Sequence, residues 1–269
     1  MSNESNRVMQ ARDLQKVSVA SRAMQILGKI GTYAFLLVMA LIVLFPFYWM
    51  IISSLKTENE YNLTTPTFWP QVIMFSNYID AFNAANLGIL FRNTLFVGIV
   101  STLASLVITV LSAFAFARLE FKGKEALFGL LLATMMIPGE LFTITNYVTM
   151  TWLNWLDTFE ALIIPFLVSV FYIYLLRQNF MQIPNELYLA AKVDGCSDIK
   201  YLWKVMIPMV MPTLISITIL KMMGAWNSYV WPRLITDDPD YYLVSNGIQE
   251  IRENGFGREN IPAMMAAVV

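Results

Sequence analysis

The chain has 269 residues, of which 57% are hydrophobic and only 14% are charged, and its mean hydropathy is +0.57. Soluble domains carry about 25% charged residues, so this composition excludes a soluble monomer and predicts an integral membrane protein. The net charge of −1 gives no field that would attract nucleic acid. The chain has no histidine and one cysteine, which excludes an internal disulfide and any cysteine-pair zinc site.

The first 32 residues are mostly polar and predict a cytoplasmic N-terminal segment, followed by a transmembrane domain over residues 33–269. The segment is not typical of a cleaved signal peptide, because the apolar run behind it is too long for a signal core. Two interpretations stay open for it, a helix lying along the membrane interface and a solvated tail.

Long apolar runs predict an all-α membrane protein with six transmembrane helices. A spanning helix needs about 20 mostly apolar residues. Five runs meet that length, at residues 33–55, 94–117, 126–145, 158–176 and 205–231. A sixth opens at residue 261 and is too short to cross a membrane, so it is either interfacial or part of a sixth span in which the chain ends. We expect the second, so that the sixth helix is truncated.

Lysine and arginine predict the orientation of these spans. Twelve of these residues fall in the N-terminal segment, the turn near residue 120 and the loop after span four, against five on the opposite side. Basic residues accumulate on the cytoplasmic side of a membrane protein. The N-terminus and the loop over residues 178–204 are therefore expected in the cytoplasm.

That cytoplasmic loop is a polar, helix-forming segment between two apolar runs. Asn185 is a candidate N-cap for a short helix that ends at Gly195, and Ser197 is a candidate cap for a second helix. Pro208 and Pro212 mark the return to the membrane. On the opposite side, short helices are expected at residues 76–85 and 246–253.

The loop resembles the coupling loop of ABC-importer permeases. In that family the pattern is Glu-Ala-Ala, three residues, Gly, about nine residues, then apolar, any, apolar and Pro. The matching positions here are Ala190, Ala191, Gly195, Val205, Ile207 and Pro208. Leu189 stands where the family usually has Glu, so Glu186 or Asp194 must replace that acid, or the docking contact is more apolar.

Three further stretches are similar to the carbohydrate-transporting permeases of this superfamily, of the maltose-permease-like, second-subunit type. They are residues 112–124, Met136-Ile137-Pro138 and the run from Gly224 to Pro232. The resemblance implies a type I ABC importer in a bacterial or archaeal inner membrane. Its partners would be a second homologous permease, two ATPase subunits that bind ATP and Mg, and an external solute-binding protein.

Candidate site residues follow from the resemblance and from the chemistry of the spans. Glu186, Leu189, Ala190, Ala191, Asp194 and Gly195 are the candidate ATPase-coupling residues, with Ala190, Ala191 and Gly195 expected at closest approach. The candidate substrate-pathway residues are Glu140, Asn146, Lys221, Trp226 and Asn227. Lys221 is a basic residue inside a span, where it would pair with Glu140, attract an anionic substrate or extend to the interface.

Two other classes of protein are less consistent with this sequence. An ion-coupled secondary carrier usually places several charges within its spans and shows two inverted halves, which are not visible here. A membrane enzyme would need a catalytic or metal-binding constellation, and the spans offer none. No phosphate-binding loop is present, so we expect neither catalysis nor a cofactor in this chain itself.

Overall fold

The computed structural model describes residues 2–253 and 259–269, with side chains described for Met24 and from Ile26 onward. Every regular element in these ranges is helical, and they contain no strand. The chain divides into two compact units, one formed by Met1–Tyr78 with Asn260–Val269 and the other by Ile79–Glu259. The predicted all-α class is therefore confirmed.

The first unit is built on one long helix, α1 (Ser2–Ser54). Its part from Ile26 to Ser54 is 29 residues long and apolar enough to cross a membrane. Apolar side chains are exposed around this part, as expected for a helix that faces lipid or other subunits. Of the side chains on which the interfacial interpretation of the N-terminal segment depends, Met24 and Leu27 are exposed, and the side chains at positions 19, 20 and 23 lie outside the described ones. Helix α1 packs against α15 (Ile261–Val268), an apolar helix of eight residues.

A short loop with an internal polar network follows α1. Helix α2 (Glu58–Tyr61) begins after Thr57, whose side chain accepts from the backbone N–H of Glu60. The buried Lys56 donates to the carbonyl of Thr67, and the hydroxyl of Thr67 donates to the buried carboxylate of Glu60 at 2.6 Å. Thr67 thus satisfies both buried charges, which would otherwise be costly.

The second unit is arranged around α4 (Leu87–Arg118), which is 32 residues long and long enough to span a membrane without a break. Helix α3 (Ser76–Ala84) precedes it, close to the predicted 76–85. One face of α4 carries small buried residues, among them Ser101, Ser105 and Ala113. Small side chains allow neighbouring helices to approach closely, and α4 packs against α8 (Val170–Gln182) and α12 (Met211–Trp226) along this face.

The three other predicted spans of this unit are bent. The bend is 85° between Lys124–Thr134 (α5) and Gly139–Trp152, 45° between Phe159–Phe166 and Val170–Gln182 (α8), and 81° between Asp198–Met209 and Met211–Trp226 (α12). Proline, which lacks an N–H, lies at or next to each break, as Pro138, Pro165 and the pair Pro208 and Pro212. If each bent pair counts as one span, the described residues contain up to five spans.

The remaining elements are short. In chain order they are a 3₁₀ turn Gly139–Phe142, α6 (Thr143–Trp152), α7 (Phe159–Ile163), a 3₁₀ turn Ile164–Phe166, α9 (Asn185–Val193), α10 (Asp198–Tyr201), a π-helical turn Leu202–Met206, α11 (Ile207–Met209), α13 (Val230–Ile235), a 3₁₀ turn Pro239–Tyr241 and α14 (Val244–Glu253). The main core of this unit lies where α4, α8, α10 and the start of span five meet, and includes Phe180, Tyr201 and Leu202.

Candidate functional site

Helix α9 occupies the predicted polar loop and follows directly on α8. It begins at Asn185, with Pro184 in the N-cap position and no side-chain cap. The expectation that Asn185 caps the helix was wrong, because Pro184 already has the extended conformation of a cap residue and Asn185 is the first helical residue. At the other end Gly195 has φ +69°, a backbone conformation that residues with a side chain rarely adopt. This conformation lets the chain turn towards α10. Ser197 caps α10 as expected, accepting from the N–H of Lys200 at 3.4 Å.

The inner face of α9 is fixed to α10 through one carboxylate. Asp198 accepts a hydrogen bond from the Tyr188 hydroxyl at 2.8 Å and forms a salt bridge with Lys192 at 2.7 Å. The hydrogen bonds from Lys192 and Tyr188 lower the pKa of Asp198, and the pKa of Lys192 is raised by the same contact. Burial, followed by the bond to Asp198, raises the pKa of Tyr188. The carboxylate is therefore charged at neutral pH and holds the two helices together.

The outer face of α9 is exposed and largely apolar. Glu186, Leu189, Ala190 and Val193 recur at helical spacing on this face, with Leu189 56% and Val193 88% exposed. These four residues are called the coupling face below. Asp194 and Gly195 follow directly and are also exposed.

Ala191 does not belong to the coupling face. It is half-buried and packs against the core together with Tyr188 and Cys196. Ala190 and Ala191 were both expected at closest approach to a partner; Ala190 is exposed and Ala191 half-buried, and the expectation stays a prediction. Ala191 lies about 100° around the helix from Ala190, on the side that faces the core, so the two alanines differ in burial.

Two arginines join α8, which leads into α9, to the neighbouring helices α4 and α5. Arg118, the last residue of α4, donates to the carbonyls of Phe180 at 2.8 Å and Ile183 at 2.5 Å, at the end of α8. Arg177 on α8 donates to the carbonyl of Phe116 at 3.1 Å and pairs with Glu125 at 3.3 Å. The arginine contacts at this end of α4 and α8, together with helices α9 and α10, are called the base of the second unit below.

At the opposite end of α4, two neutral side chains bond to the segment that leads into α14, and the Arg92 guanidinium donates to the side-chain oxygen of Asn93 at 3.2 Å. The buried amide of Asn93 donates to the carbonyls of Asp240 at 2.7 Å and Tyr242 at 3.1 Å. The hydroxyl of Thr94 accepts from the N–H of Val244 at 2.9 Å. Helix α14, predicted at 246–253 and confirmed at Val244–Glu253, is thereby attached to α4.

A cavity of about 400 Å³ lies between α4, the break in span four and α12. Of the five candidate substrate-pathway residues only Lys221 lines it. The Lys221 ammonium donates to the carbonyl of Phe166, at the break, and the expected pair with Glu140 is not formed. Glu140 lies exposed in the turn after Pro138, on a different broken span.

The other three candidates lie outside the cavity lining. Asn146 is half-buried in α6, Asn227 is exposed after the end of α12, and the Trp226 ring packs on Phe91 with centroids 5.9 Å apart. Sequence reasoning missed the polar and aromatic residues that do line the cavity. These are Ser101, Ser169, Tyr172, Ser228 and Trp231. Serines in apolar helices are common, so no pattern in the sequence distinguished these positions.

Comparison with known proteins identifies the family to which this geometry belongs. Residues 105–269, which include the base, the coupling face and most of the cavity lining, match the family described as binding-protein-dependent transport system inner membrane component. The chain belongs to this family. It is an integral membrane protein that works with other components of an ABC importer, and family members are transport components rather than enzymes.

Curated relatives of the permease are named as sugar transport subunits. The sulfoquinovosyl glycerol transport system permease protein of Agrobacterium fabrum is 32% identical over 77% of this chain and 73% of the relative. The arabinooligosaccharides transport system permease protein of Halalkalibacterium halodurans is 30% identical over 78% and 76%. The permease is therefore a transmembrane subunit of an ABC importer, not an ion-coupled carrier.

A solved structure supports the fold of the permease. A chain of a bacterial ABC transporter involved in the import of the acidic polysaccharide alginate superposes with a TM-score of 0.81 at 25% identity. The match covers 92% of this chain and 91% of the other. The expected type I importer fold is confirmed.

Proposed function

We propose that this permease pairs with a second, homologous permease and is driven by two ATPase subunits that bind ATP and Mg on the cytoplasmic side. An external solute-binding protein would deliver the sugar. The observation that carries the proposal is the coupling face. An exposed apolar helix face beside a rigid, charged base is suited to nest in a groove of another protein.

The base explains how movement of an ATPase would reach the spans. A force on α9 passes to α10 through Asp198 and then to the start of span five. The same force reaches α8 and α4, because α9 follows α8 directly and Arg118 joins α8 to α4. Closure of the ATPases would thus tilt α4, α8 and α12 together and switch the cavity between inward-facing and outward-facing states.

The departure from the family pattern at Leu189 has a specific consequence for this interface. Leu189 and Val193 lie one turn apart on the coupling face, and Glu186 precedes Leu189 by almost one turn on the same face. We infer an apolar contact at the centre of the interface, with Glu186 supplying the acid at its edge. Burial of Leu189 and Val193 would contribute roughly 2 kcal/mol each.

The orientation of the permease in this proposal follows from the basic residues. The N-terminus, the turn near residue 120 and the coupling face lie in the cytoplasm. Residues 232–260 then face outwards, and in their described part Asp237, Asp238 and Asp240 are exposed beside α14. This acidic surface is the part of the permease that we expect the solute-binding protein to approach.

The proposal is tested by Val193→Asp in the assembled importer. An aspartate at the centre of an apolar contact would be buried without a partner, which typically costs several kcal/mol. We expect uptake and solute-stimulated ATP hydrolysis to fall at least about tenfold, with less ATPase subunit retained on purification. Val193→Ile, which keeps the contact apolar, serves as the control. Normal uptake by the Val193→Asp importer would contradict the proposal.

A further inference from the structure

The cavity around Lys221 has an unusual charge balance. Lys221 is the only charged residue in its described lining, which contains neither aspartate nor glutamate. Among the described residues Lys221 forms no salt bridge. A cation in the interior of a membrane protein is costly unless an anion, a dipole or water compensates it.

The Phe166 carbonyl supplies only part of that compensation. It lies at the break in span four, where Pro165 interrupts the helix, and it accepts from the Lys221 ammonium. An ammonium group has three donors, so two remain for other acceptors. Phe166 therefore orients Lys221 at the cavity without neutralising its charge.

The remaining lining is suited to a sugar. Four hydroxyl groups line the cavity, those of Ser101, Ser169, Tyr172 and Ser228. Trp231 adds an aromatic ring, whose orientation is fixed because its indole N–H donates a hydrogen bond to the carbonyl of Ala161 at 2.9 Å. Hydroxyl groups exchange hydrogen bonds with sugar hydroxyls, and a volume of about 400 Å³ falls in the range of small-molecule sites.

We propose that this cavity binds an anionic sugar unit, carrying a carboxylate, sulfonate or phosphate group, with Lys221 as the residue that selects for the negative charge. The proposal rests on the function proposed above and adds the substrate class. The serine hydroxyls and Trp231 contact the sugar ring, while Lys221 pairs with the acid group. Neutral sugars would lack the partner that Lys221 needs.

The charge of the cavity is measured first, without any substrate. The assembled importer carries Cys196→Ser, which removes the native thiol of this chain, and Ser228→Cys, which places a new thiol in the cavity. The rates at which an anionic and a cationic methanethiosulfonate of similar size modify the new thiol are then measured. The importer is held in phosphatidylcholine nanodiscs, so that no anionic lipid competes. Because a nearby charge acts on the two reagents in opposite directions, Lys221→Met should lower the anionic-to-cationic rate ratio by about tenfold.

Two controls separate the charge of Lys221 from general effects. Lys221→Arg keeps the charge and should keep the ratio, and Lys122→Met, at an exposed position, should leave it unchanged. A ratio that Lys221→Met does not alter would overturn the proposal and leave Lys221 as a bond between two helices.

The second measurement uses sugars as probes. At equal millimolar concentration, digalacturonate should slow modification of the Ser228→Cys thiol in the protein with Lys221 but not in Lys221→Met. Neutral digalactose should act equally on both. Equal protection by the two sugars, or protection by neither, would overturn the proposal. Retained ATPase binding in Lys221→Met would show that such a failure concerns the substrate class and not the function as an importer subunit.

Discussion

The two ends of α4 are held by different chemistry. At the base, guanidinium groups of Arg118 and Arg177 donate to helix-end carbonyls and to Glu125. At the α14 end, the amide of Asn93 and the hydroxyl of Thr94 make neutral bonds to the segment from Asp240 to Val244. Hydrogen bonds to ionised groups are roughly twice as strong as neutral ones.

This difference predicts that the second unit resists deformation at the base and deforms more easily at the α14 end. In the proposed mechanism the base passes a force from the coupling face to the spans, and strong charged bonds are suited to that role. At the α14 end, the bonds from Asn93 and Thr94 to the segment from Asp240 to Val244 are neutral and open at lower cost, although α14 itself also pairs with Arg233 through Glu250 at 3.1 Å. Between the two ends lie the breaks near Pro165 and Pro212, where the spans bend by 45° and 81°.

The largest effect should come from breaking the base at Arg177. Its guanidinium lies 4.0 Å from the centroid of the Phe128 ring, besides its bonds to Phe116 and Glu125. Arg177→Met keeps the length of the side chain but leaves the Phe116 carbonyl without this donor. We expect the free energy of unfolding in mixed micelles to fall by about 3 kcal/mol. Lys122→Met is the matched control, and an equal effect of the two variants would contradict the role of the base.

A smaller effect is expected at the α14 end from Asn93→Leu, which keeps the volume but removes both hydrogen bonds. The loss should be about 2 kcal/mol, because the bonds are neutral. Hydrogen exchange should accelerate in α14 and remain unchanged in α9. Asn83→Leu, at an exposed position of α3, is the control. Faster exchange in α9 as well would show that the two ends are not independent.

The sequence predicted the fold well because its signals are strong and local. Apolar runs located the spans, Gly195 and Ser197 located the turn between α9 and α10, and the spacing of the coupling loop predicted the family. The bends of 45° to 85° were harder to predict. Proline indicates a break in a helix but does not determine its angle, which depends on packing against other helices.

The sites were less predictable than the fold, because side-chain direction depends on packing. The small residues Ala190 and Ala191 were treated as one surface, and only the contact of Ala191 with the core separates them. A pair with Glu140 on another span was one of three interpretations of Lys221, and the bond that it forms to a main-chain carbonyl at a helix break has no signature in residue type. Main-chain acceptors are present at every residue and become available only where a helix is interrupted.

The central claim is that the coupling face, and not the inner face of α9, contacts the ATPase. It is tested most directly by placing the photocrosslinking residue benzoylphenylalanine at Val193 or at Tyr188 in the assembled importer. Position 193 should form an adduct with the ATPase subunit after illumination, whereas position 188, directed towards Asp198 and the core, should form none. An ATPase adduct from position 188, or none from position 193, would contradict the account.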